Sequence, residues 1–434
     1  MDRRELGVRL NFPYLQGAYL AFNAVPDAFF LGDGPSCIFA KALQVHGRHD
    51  LFSTLLSCES EHRIQHTGVN VFNIAGNNEA EIGAALRKMA AWPQAGALFL
   101  GCMPMCAIAG TDYERILRDA LDGEKPSFVL PRRSAFAGDW LDGYAAVLEA
   151  LASGMDLAPE ESSPESAALI GYFMDRNEGE HRGNIAELER MMRAVGLDPV
   201  SIWLSGASYE NLRAVRRAKT IVSLPHGRKA ARILSRRLGA RLIEAELPFG
   251  LEATRRFLEK LGRETGHEEK ARKFIASELD RTAPRLQWSV PHVFLNRRFA
   301  FIGDPHYGTA IAELLEELGG EMAGLILMGG GHHPPEAAKA ALEARPRTAF
   351  QPVAAEALRL WEEMSATGVD LLFGNSWAFS ELRPKSPWLE FGFPSDNTHF
   401  LNDEPFLGFA GALAFLSRAA NEVTKGWASV RAVP

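Results

Sequence analysis

Cysteine is scarce in this sequence and confined to its first quarter. The 434 residues contain four cysteines, and none follows residue 106. They are Cys37, Cys58, Cys102 and Cys106. So few thiols in a chain of this length do not suggest a disulfide framework. The N-terminal segment MDRRELGVRLNF is charged and lacks the apolar run of a secretory signal, so we expect a reduced, cytoplasmic protein.

Long apolar runs and an excess of positive charge are also missing. No uninterrupted apolar run reaches the roughly 18 residues that a membrane-spanning helix needs, so no membrane association is expected. The formal net charge is −7, which argues against nucleic acid as a partner because such binding needs a basic surface. The glycine-rich segment GGGHHPPE lacks the lysine and serine of a phosphate-binding P-loop.

The sequence does contain a regular alternation of short apolar runs and amphipathic segments. This alternation is typical of βα units that build parallel sheets. The segment NIAELERMMRAVG, for example, has helical spacing and ends on a glycine. Nine runs are predicted to be strands: AFFLG, STLLS, GALFLG, AALIGYF, PVSIWL, TIVSL, RFAFIG, MAGLILM and VDLLFG.

Two segments interrupt the alternation and divide the chain into three parts. Residues 156–166 are acidic and contain proline, and residues 281–292 contain two prolines. Both are predicted to be linkers. The predicted fold is therefore α/β, with three Rossmann-like domains, each a small parallel sheet flanked by helices. The predicted domains are 1–160, 161–290 and 291–434.

The four cysteines all follow apolar runs. Loops after the carboxyl ends of parallel strands gather along one edge of a sheet, so three such loops could bring these thiols together. Thiolates are soft ligands that bind iron–sulfur clusters, zinc or copper(I). The spacings of 21, 44 and 4 residues do not match the close pairs typical of zinc sites. The alternative is that the cysteines only fill core space.

Several motifs are similar to those of the nitrogenase component 1 family and its relatives. In the first domain these are GDGPSC, LLSCESEHRIQHTG and GCMPMCAIAGTD. Later in the chain, RRFAFIGDPHYG resembles the strand–turn–helix of the family's third domain, and LEFGFPSDNTHF resembles a motif near the C-terminus. The resemblance extends over nearly the whole chain.

The resemblance implies an iron–sulfur cluster at a subunit interface. Cys37 matches the first ligand motif of the family, and Cys102 is our choice for the second because a predicted strand ends in it. Cys106 is equally close to the segment AGTD, and Cys58 lies in a stretch that does not always supply a ligand. The cluster would be either a 4Fe–4S cluster or an eight-iron P-cluster-like group. No cysteine lies near Phe12 and Pro13, where another is expected, which favours a four-iron cluster shared with a partner.

The resemblance also implies a role and partners. The second-domain segment TIVSLPHGRK has no thiol to anchor a large metallocluster, which makes the chain more like a β-type subunit. A homologous α-type subunit, an α2β2 heterotetramer and a transient ATP-dependent iron–sulfur reductase homodimer are implied, with this chain inactive alone. Methylthio-alkane reduction is the preferred activity. The alternatives are a cofactor-assembly scaffold, a (proto)chlorophyllide reductase subunit, or a non-redox protein that binds a small ligand or acts as a scaffold.

Four residues of the third domain are predicted to line a substrate or cofactor cleft. His399 occupies a position where the family places a histidine. His332, Ser376 and Arg383 follow predicted strands and are predicted to face the same cleft. For His332 the alternative is a place in an exposed turn. No catalytic residue is assigned from the sequence.

Overall fold

The structure is a computed structural model that describes residues 11–42, 62–70, 72–74, 76, 78–131, 138–158, 160–174, 179–398 and 400–431. The chain divides into two compact units. One comprises Pro13–Asn177 and Asp198–Glu244. The other comprises Met1–Phe12, Glu178–Leu197 and Ala245–Pro434.

The first unit begins with a four-stranded parallel sheet of order β2-β1-β3-β4. Its central strands β1 and β3 are buried throughout, which explains why they read as continuous apolar runs. The strands are β1 Ala28–Asp33, β2 Ile64–His66, β3 Ala97–Cys102 and β4 Ser127–Val129. The helices are α1 Tyr14–Asn23, α2 Cys37–Ala42, α3 Glu79–Ala90, α4 Pro104–Ala107, α5 Tyr113–Leu121 and α6 Trp140–Gly154.

Helices α1 and α6 of this unit are in direct backbone contact. A Cβ atom added to Gly17 would lie 1.6 Å from the carbonyl oxygen of Trp140. One added to Gly143 would lie 1.7 Å from the carbonyl oxygen of Tyr14. Both glycines are therefore required by the close approach of the helices, and all ten residues of α1 are buried.

The same unit contains a second parallel sheet of order β6-β5-β7-β8. Its strands are β5 Ser166–Ile170, β6 Asp198–Ile202, β7 Thr220–Ser223 and β8 Arg241–Glu244. Helix α7, Gly179–Ala194, lies between β5 and β6 in sequence but belongs to the other unit. The remaining helices of this part are α8 Tyr209–Arg213 and α9 Arg228–Leu238, with 3-10 turns at Ala214–Arg217 and Pro225–Gly227.

The second unit is built on a five-stranded parallel sheet of order β11-β10-β9-β12-β13. The strands are β9 Arg298–Gly303, β10 Glu321–Leu327, β11 Thr348–Phe350, β12 Leu371–Gly374 and β13 Trp388–Glu390. The helices are α10 Leu251–Thr265, α11 Glu268–Leu286, α12 Pro305–Glu317, α13 Glu336–Glu343, α14 Ala354–Ala366, α15 Ser376–Leu382 and α16 Gly408–Arg431.

Three parallel sheets flanked by helices are thus present, and the predicted fold class is confirmed. The predicted linker at residues 281–292 is wrong, because α11 continues through Pro284 to Leu286 and a π-helical turn follows at Val290–Phe294. The predicted strand STLLS lies outside the described residues, and the three domain boundaries remain predictions. Within the described ranges, no helix combines the length and apolar character needed to cross a membrane.

Candidate functional site

The carboxyl ends of β1 and β3 place two cysteine-bearing loops side by side. The strands are parallel neighbours, and Asp33 at the end of β1 pairs in register with Cys102 at the end of β3. The Met103 N–H donates to the Asp33 carbonyl oxygen at 2.9 Å. Cys37 is the first residue of α2, just beyond the end of β1. Cys37 and Cys102 therefore lie in the loops that follow two adjacent strands.

The three described cysteines differ in their exposure. Cys37 is exposed, whereas Cys102 and Cys106 are 4% and 2% exposed. No disulfide joins these three cysteines to one another. Burial first, and then the negative charges of Asp33 and Cys102, raise the pKa of the Cys106 thiol to about 12, so this thiol is protonated at neutral pH. Cys58 lies outside the described residues.

Asp33 joins the loops around these cysteines. Its carboxylate accepts a hydrogen bond from the Tyr113 hydroxyl at 2.6 Å and another from Thr67 Oγ1 at 2.7 Å. The Asp33 side chain is buried, with a residue exposure of 3%. Hydrogen bonds to an ionised acceptor are stronger than neutral ones, and a buried carboxylate requires them. Asp33 was not predicted, although the polar residue in GDG directly after an apolar run could have drawn attention to it.

Tyr113 reaches from α5 into the same region. The pKa of its hydroxyl is raised by burial first, then by the hydrogen bond to Asp33 and by the negative charge of Cys102. Tyr113 is therefore a neutral hydrogen-bond donor close to Cys102. Asp112 caps α5 by accepting from the Arg115 N–H at 3.0 Å, so the segment AGTD begins the helix that positions Tyr113.

Tyr19 of α1 is another buried tyrosine of the same unit. Its side chain is 0% exposed, and its hydroxyl has no hydrogen-bond partner among the described residues. Burial raises the pKa of Tyr19, and the negative charge of Cys37 raises it further. A buried hydroxyl without a partner costs about 1–3 kcal/mol, so this position needs an acceptor to be favourable.

A polar cavity of about 270 Å³ lies beside Cys106. Its lining includes two carboxylates, a thiol and the turn that precedes α5: Asp33, Ile74, Gly76, Asn78, Glu79, Cys106, Ala109, Gly110 and Thr111. Glu79 is paired with Arg115 at 2.6 Å. The cavity therefore leaves space for water molecules next to the turn that carries Cys106.

The side chains at this edge fit an iron–sulfur cluster. Cys37 and Cys102 offer soft thiolate donors from adjacent strand ends, and the exposed position of Cys37 leaves room for ligands from another chain. The donor set is consistent with such a group.

The other predicted residues lie on the second unit. His332 follows β10 in an exposed turn, with its ring centroid 4.0 Å from that of His333. Ser376 is buried directly after β12, and Arg383 is exposed at the far end of α15. The Asn375 amide donates to Met328 Sδ at 3.5 Å, which links the loops after β12 and β10. His399 lies outside the described residues.

The Ser376 hydroxyl donates a hydrogen bond to the buried carboxylate of Glu390, which the sequence analysis did not predict. Ser376 donates to Glu390 Oε1, and the backbone N–H groups of Asp396 and Asn397 donate to the same carboxylate at 3.0 and 3.2 Å. Glu390 is 2% exposed at the end of β13. This network holds the loop after β13 against the start of α15. A glutamate ending a three-residue strand offered no sequence pattern by which to find it.

A second buried carboxylate lies close to Glu390. Glu180 accepts from Arg418 at 2.8 Å, and Arg418 also donates to the Glu390 carbonyl oxygen at 3.2 Å. Burial raises the pKa of Glu180 to about 7 in spite of the opposing effect of Arg418. Glu180 therefore exchanges a proton near neutral pH.

Comparison with known proteins finds a family that matches most of the chain. A family model described as nitrogenase component 1 type oxidoreductase matches residues 14–424. The chain belongs to this family. The family resemblance inferred from the sequence motifs is thereby confirmed.

Individual relatives are more distant. The chain is 24% identical over 351 residues to the nitrogenase molybdenum-iron protein beta chain of Acidithiobacillus ferridurans, covering 72% of this chain and 65% of the relative. It is 33% identical over 151 residues to a light-independent protochlorophyllide reductase subunit of Halorhodospira halophila, covering 33% of this chain and 27% of the relative. The aligned region thus spans slightly less than two thirds of the length of the molybdenum-iron relative.

The fold has a counterpart among solved structures. Nitrogenase Cp1 at pH 6.5 superposes with a TM-score of 0.73 at 15% identity, covering 94% of this chain and 91% of that chain. At this level of identity the likeness concerns the fold alone.

Proposed function

We propose that this chain is a β-type subunit of component 1 in a nitrogenase-like, two-component, ATP-dependent reductase. In this proposal it relays electrons through an interfacial iron–sulfur cluster to a substrate or metallocluster held mainly by a homologous α-type partner. The assembly would be an α2β2 heterotetramer in the cytoplasm, served by a transient iron–sulfur reductase homodimer. The chain alone would be inactive.

The observation that carries the proposal is the pairing of strand ends at Asp33 and Cys102. It brings the loop of Cys37 next to that of Cys102, with one thiol exposed and one buried. A cluster shared between two chains needs such an arrangement, because part of its ligand set must remain accessible to the partner. An iron–sulfur cluster supplies one-electron transfer when it is bound.

The residues of this chain have separate proposed roles. Cys37 and Cys102 hold the cluster, and Asp33 fixes their loops by receiving the hydroxyls of Thr67 and Tyr113. Cys58 and Cys106 remain further ligand candidates. The cluster is proposed as 4Fe–4S, with an eight-iron P-cluster-like group as the alternative.

The substrate is proposed at the level of a class. Methylthio-alkane reduction is retained from the family resemblance, and a nitrogenase cofactor-assembly scaffold is an alternative. The local 33% identity to a protochlorophyllide reductase chain supports (proto)chlorophyllide reduction as another. His332, His399, Ser376 and Arg383 remain proposed for the substrate or cofactor cleft, although the hydrogen bond from Ser376 to Glu390 gives its hydroxyl a structural use.

The test is anaerobic purification of the chain together with the products of its neighbouring genes. Iron, acid-labile sulfide and low-temperature EPR are then measured for the wild type, Cys37→Ala and Cys102→Ala. We expect stoichiometric iron and sulfide in the wild type and loss of the EPR signal in both variants. Ser36→Ala is the matched control, because Ser36 is exposed next to Cys37 and should leave the iron content unchanged.

Two results would contradict the proposal. A stable complex that contains no iron or sulfide would favour a non-redox scaffold or a protein that binds a small ligand. Full iron content in both cysteine variants would place the cluster elsewhere in the assembly.

A further inference from the structure

Residues 400–407, which lead into α16, lie against one face of helix α7 in the second unit. Gly179 and Gly183 are four residues apart and therefore share that face. A Cβ atom added to Gly183 would lie 2.2 Å from the carbonyl oxygen of Asp403. One added to Gly179 would lie 2.7 Å from the carbonyl oxygen of Phe400. The backbone of this segment is therefore in direct contact with the helix.

The same face of α7 binds the far end of the segment by hydrogen bonds. The Asn184 side chain accepts from the N–H groups of Phe406 and Leu407 at 2.8 and 2.9 Å. Asn184 is fully buried, so water does not reach these two bonds while the segment is in place. Exchange of the two N–H protons with solvent therefore requires the segment to leave the helix.

Glu180 lies on this face of α7 and pairs with Arg418 of α16. Its carboxylate accepts from Arg418 at 2.8 Å, and Arg418 also donates to the Glu390 carbonyl oxygen at 3.2 Å. The Arg418 guanidinium lies over the Phe400 ring, 4.6 Å from the ring centre. The pair thus holds the first residue of the segment, while Asn184 holds the last two.

The charges around Glu180 include only one positive group. The groups that face it are Arg418 of α16, Glu390 at the end of β13 and Glu404 of the segment. Its neighbour His181 is neutral, because burial lowers the pKa of that imidazole to about 3. The carboxylate that α11 contributes beside α7, Glu278, pairs with Arg190. A proton on Glu180 therefore relieves an excess of buried negative charge.

We propose that a proton on Glu180 controls whether residues 400–407 stay on α7. The segment is held while Glu180 is protonated and is released more readily when the proton passes to solvent. Glu180 is a positioning residue in this role. The inference goes beyond the proposed function and does not require a bound cluster.

The direction of the effect follows from the two environments of Glu180. With the segment in place, burial raises the pKa of Glu180 to about 7, although Arg418 opposes the rise. With the segment away, the carboxyl faces water and titrates near the ordinary glutamate pKa of about 4.3. Between these two values only the closed form holds the proton. A rise in pH toward 7 therefore favours opening, and the effect is nearly complete above pH 7.

The test is hydrogen–deuterium exchange of the full-length chain at pH 5.5 and pH 7.5, resolved to the N–H groups of Phe406 and Leu407. After correction for the intrinsic exchange rate, the opening equilibrium constant of these groups should rise about tenfold or more at the higher pH. The N–H groups of β9 should have a smaller opening constant at both pH values, because the sheet stays closed when the segment opens.

Two variants isolate the titrating group. Glu180→Gln should abolish the rise, because an amide does not titrate and keeps the segment closed at both pH values. Glu316→Gln is the matched control and should keep the full rise. Glu316 accepts from Arg345 at 2.7 Å in an exposed ion pair of the same unit.

Three results would overturn the inference. The first is a wild-type opening constant that is unchanged or smaller at pH 7.5, and this measurement decides even if Glu180→Gln fails to fold. The second is a full rise in folded Glu180→Gln. The third is an equal opening constant for the segment and β9, since the segment would then leave only when the whole unit unfolds. None of these results depends on iron content, so the proposed function is tested separately.

Discussion

A buried carboxylate lies at the carboxyl end of a strand in both the first and the third sheet, and the two carboxylates have different surroundings. Asp33 at the end of β1 receives two side-chain hydroxyls and lies beside thiols and a polar cavity. Glu390 at the end of β13 receives a serine hydroxyl and two backbone N–H groups. At the end of β1 the thiols remain available for binding, whereas at the end of β13 the polar groups hydrogen-bond to one another and hold a loop in place. Similar strand-end positions therefore do not imply similar roles.

The largest expected effect is a difference in iron content between a variant at the end of β3 and a variant at the start of α15. Cys102→Ala should remove most of the cluster iron from the purified complex, because it deletes a proposed ligand. Ser376→Ala should leave the iron per folded protein unchanged, since Ser376 donates to Glu390 within the second unit. Iron and sulfide analysis of the two variants checks this contrast, and equal iron loss in both would remove the distinction between the edges.

The next effect is on stability at the second edge. Glu390→Gln removes the charge that receives the N–H groups of Asp396 and Asn397 and turns an amide donor toward them. We expect a loss of about 3 kcal/mol in the free energy of unfolding, since hydrogen bonds to charged groups contribute about 1.5–3 kcal/mol each. Urea unfolding measures the loss. An unchanged stability would show that the network does not hold the loop.

A pH-dependent effect should follow from Glu180. Its pKa is raised to about 7 by burial, so between about pH 4.3 and pH 7 the folded chain holds a proton that the unfolded chain has released. The stability contribution is therefore fully present below the unfolded pKa and is lost as the pH rises toward 7. Relative to Glu180→Gln, the wild type should lose about 3 kcal/mol between pH 4.5 and pH 7.5. Parallel stability profiles for the two proteins would disprove the assignment.

The smallest expected effect is at the first edge. Asp33→Asn keeps the size of the side chain but removes the negative charge that helps raise the pKa of Cys106. The pKa of Cys106 should therefore fall, and stability should drop by about 1 kcal/mol because the hydroxyls of Thr67 and Tyr113 lose an ionised acceptor. Alkylation of Cys106 against pH, followed by mass spectrometry of its peptide, should begin at lower pH in the variant. An onset at the same pH would mean that the charge of Asp33 does not contribute to the raised pKa of this thiol.

The sequence predicted the central strands well and missed most edge strands. Of the described strands, β1, β3, β5, β7, β9, β10 and β12 are central and appear as apolar runs, as does the edge strand β6. The five missed strands, β2, β4, β8, β11 and β13, are all at sheet edges and are only three or four residues long. An edge strand has one pairing neighbour and less burial, so its sequence carries a weaker pattern.

The candidate site shows the same limit. The cysteines were found because they follow long apolar runs. The bond between Tyr113 and Asp33 joins residues 80 positions apart, and the direction of Tyr19 depends on the rotation of a helix that is buried on every side. With no polar face to set that rotation, periodicity contains no information about which neighbours the side chains of α1 meet.

The contact between α1 and α6 restricts side-chain size at two positions that lie far apart in the chain. Gly17 and Gly143 each meet the backbone of the opposite helix, so a larger residue at either one pushes the helices apart and moves Tyr19 with them. A homologue that has lost both glycines should therefore have wider helix spacing. Glycine at both positions would mark, in sequence alone, the members of the family that share this close helix contact.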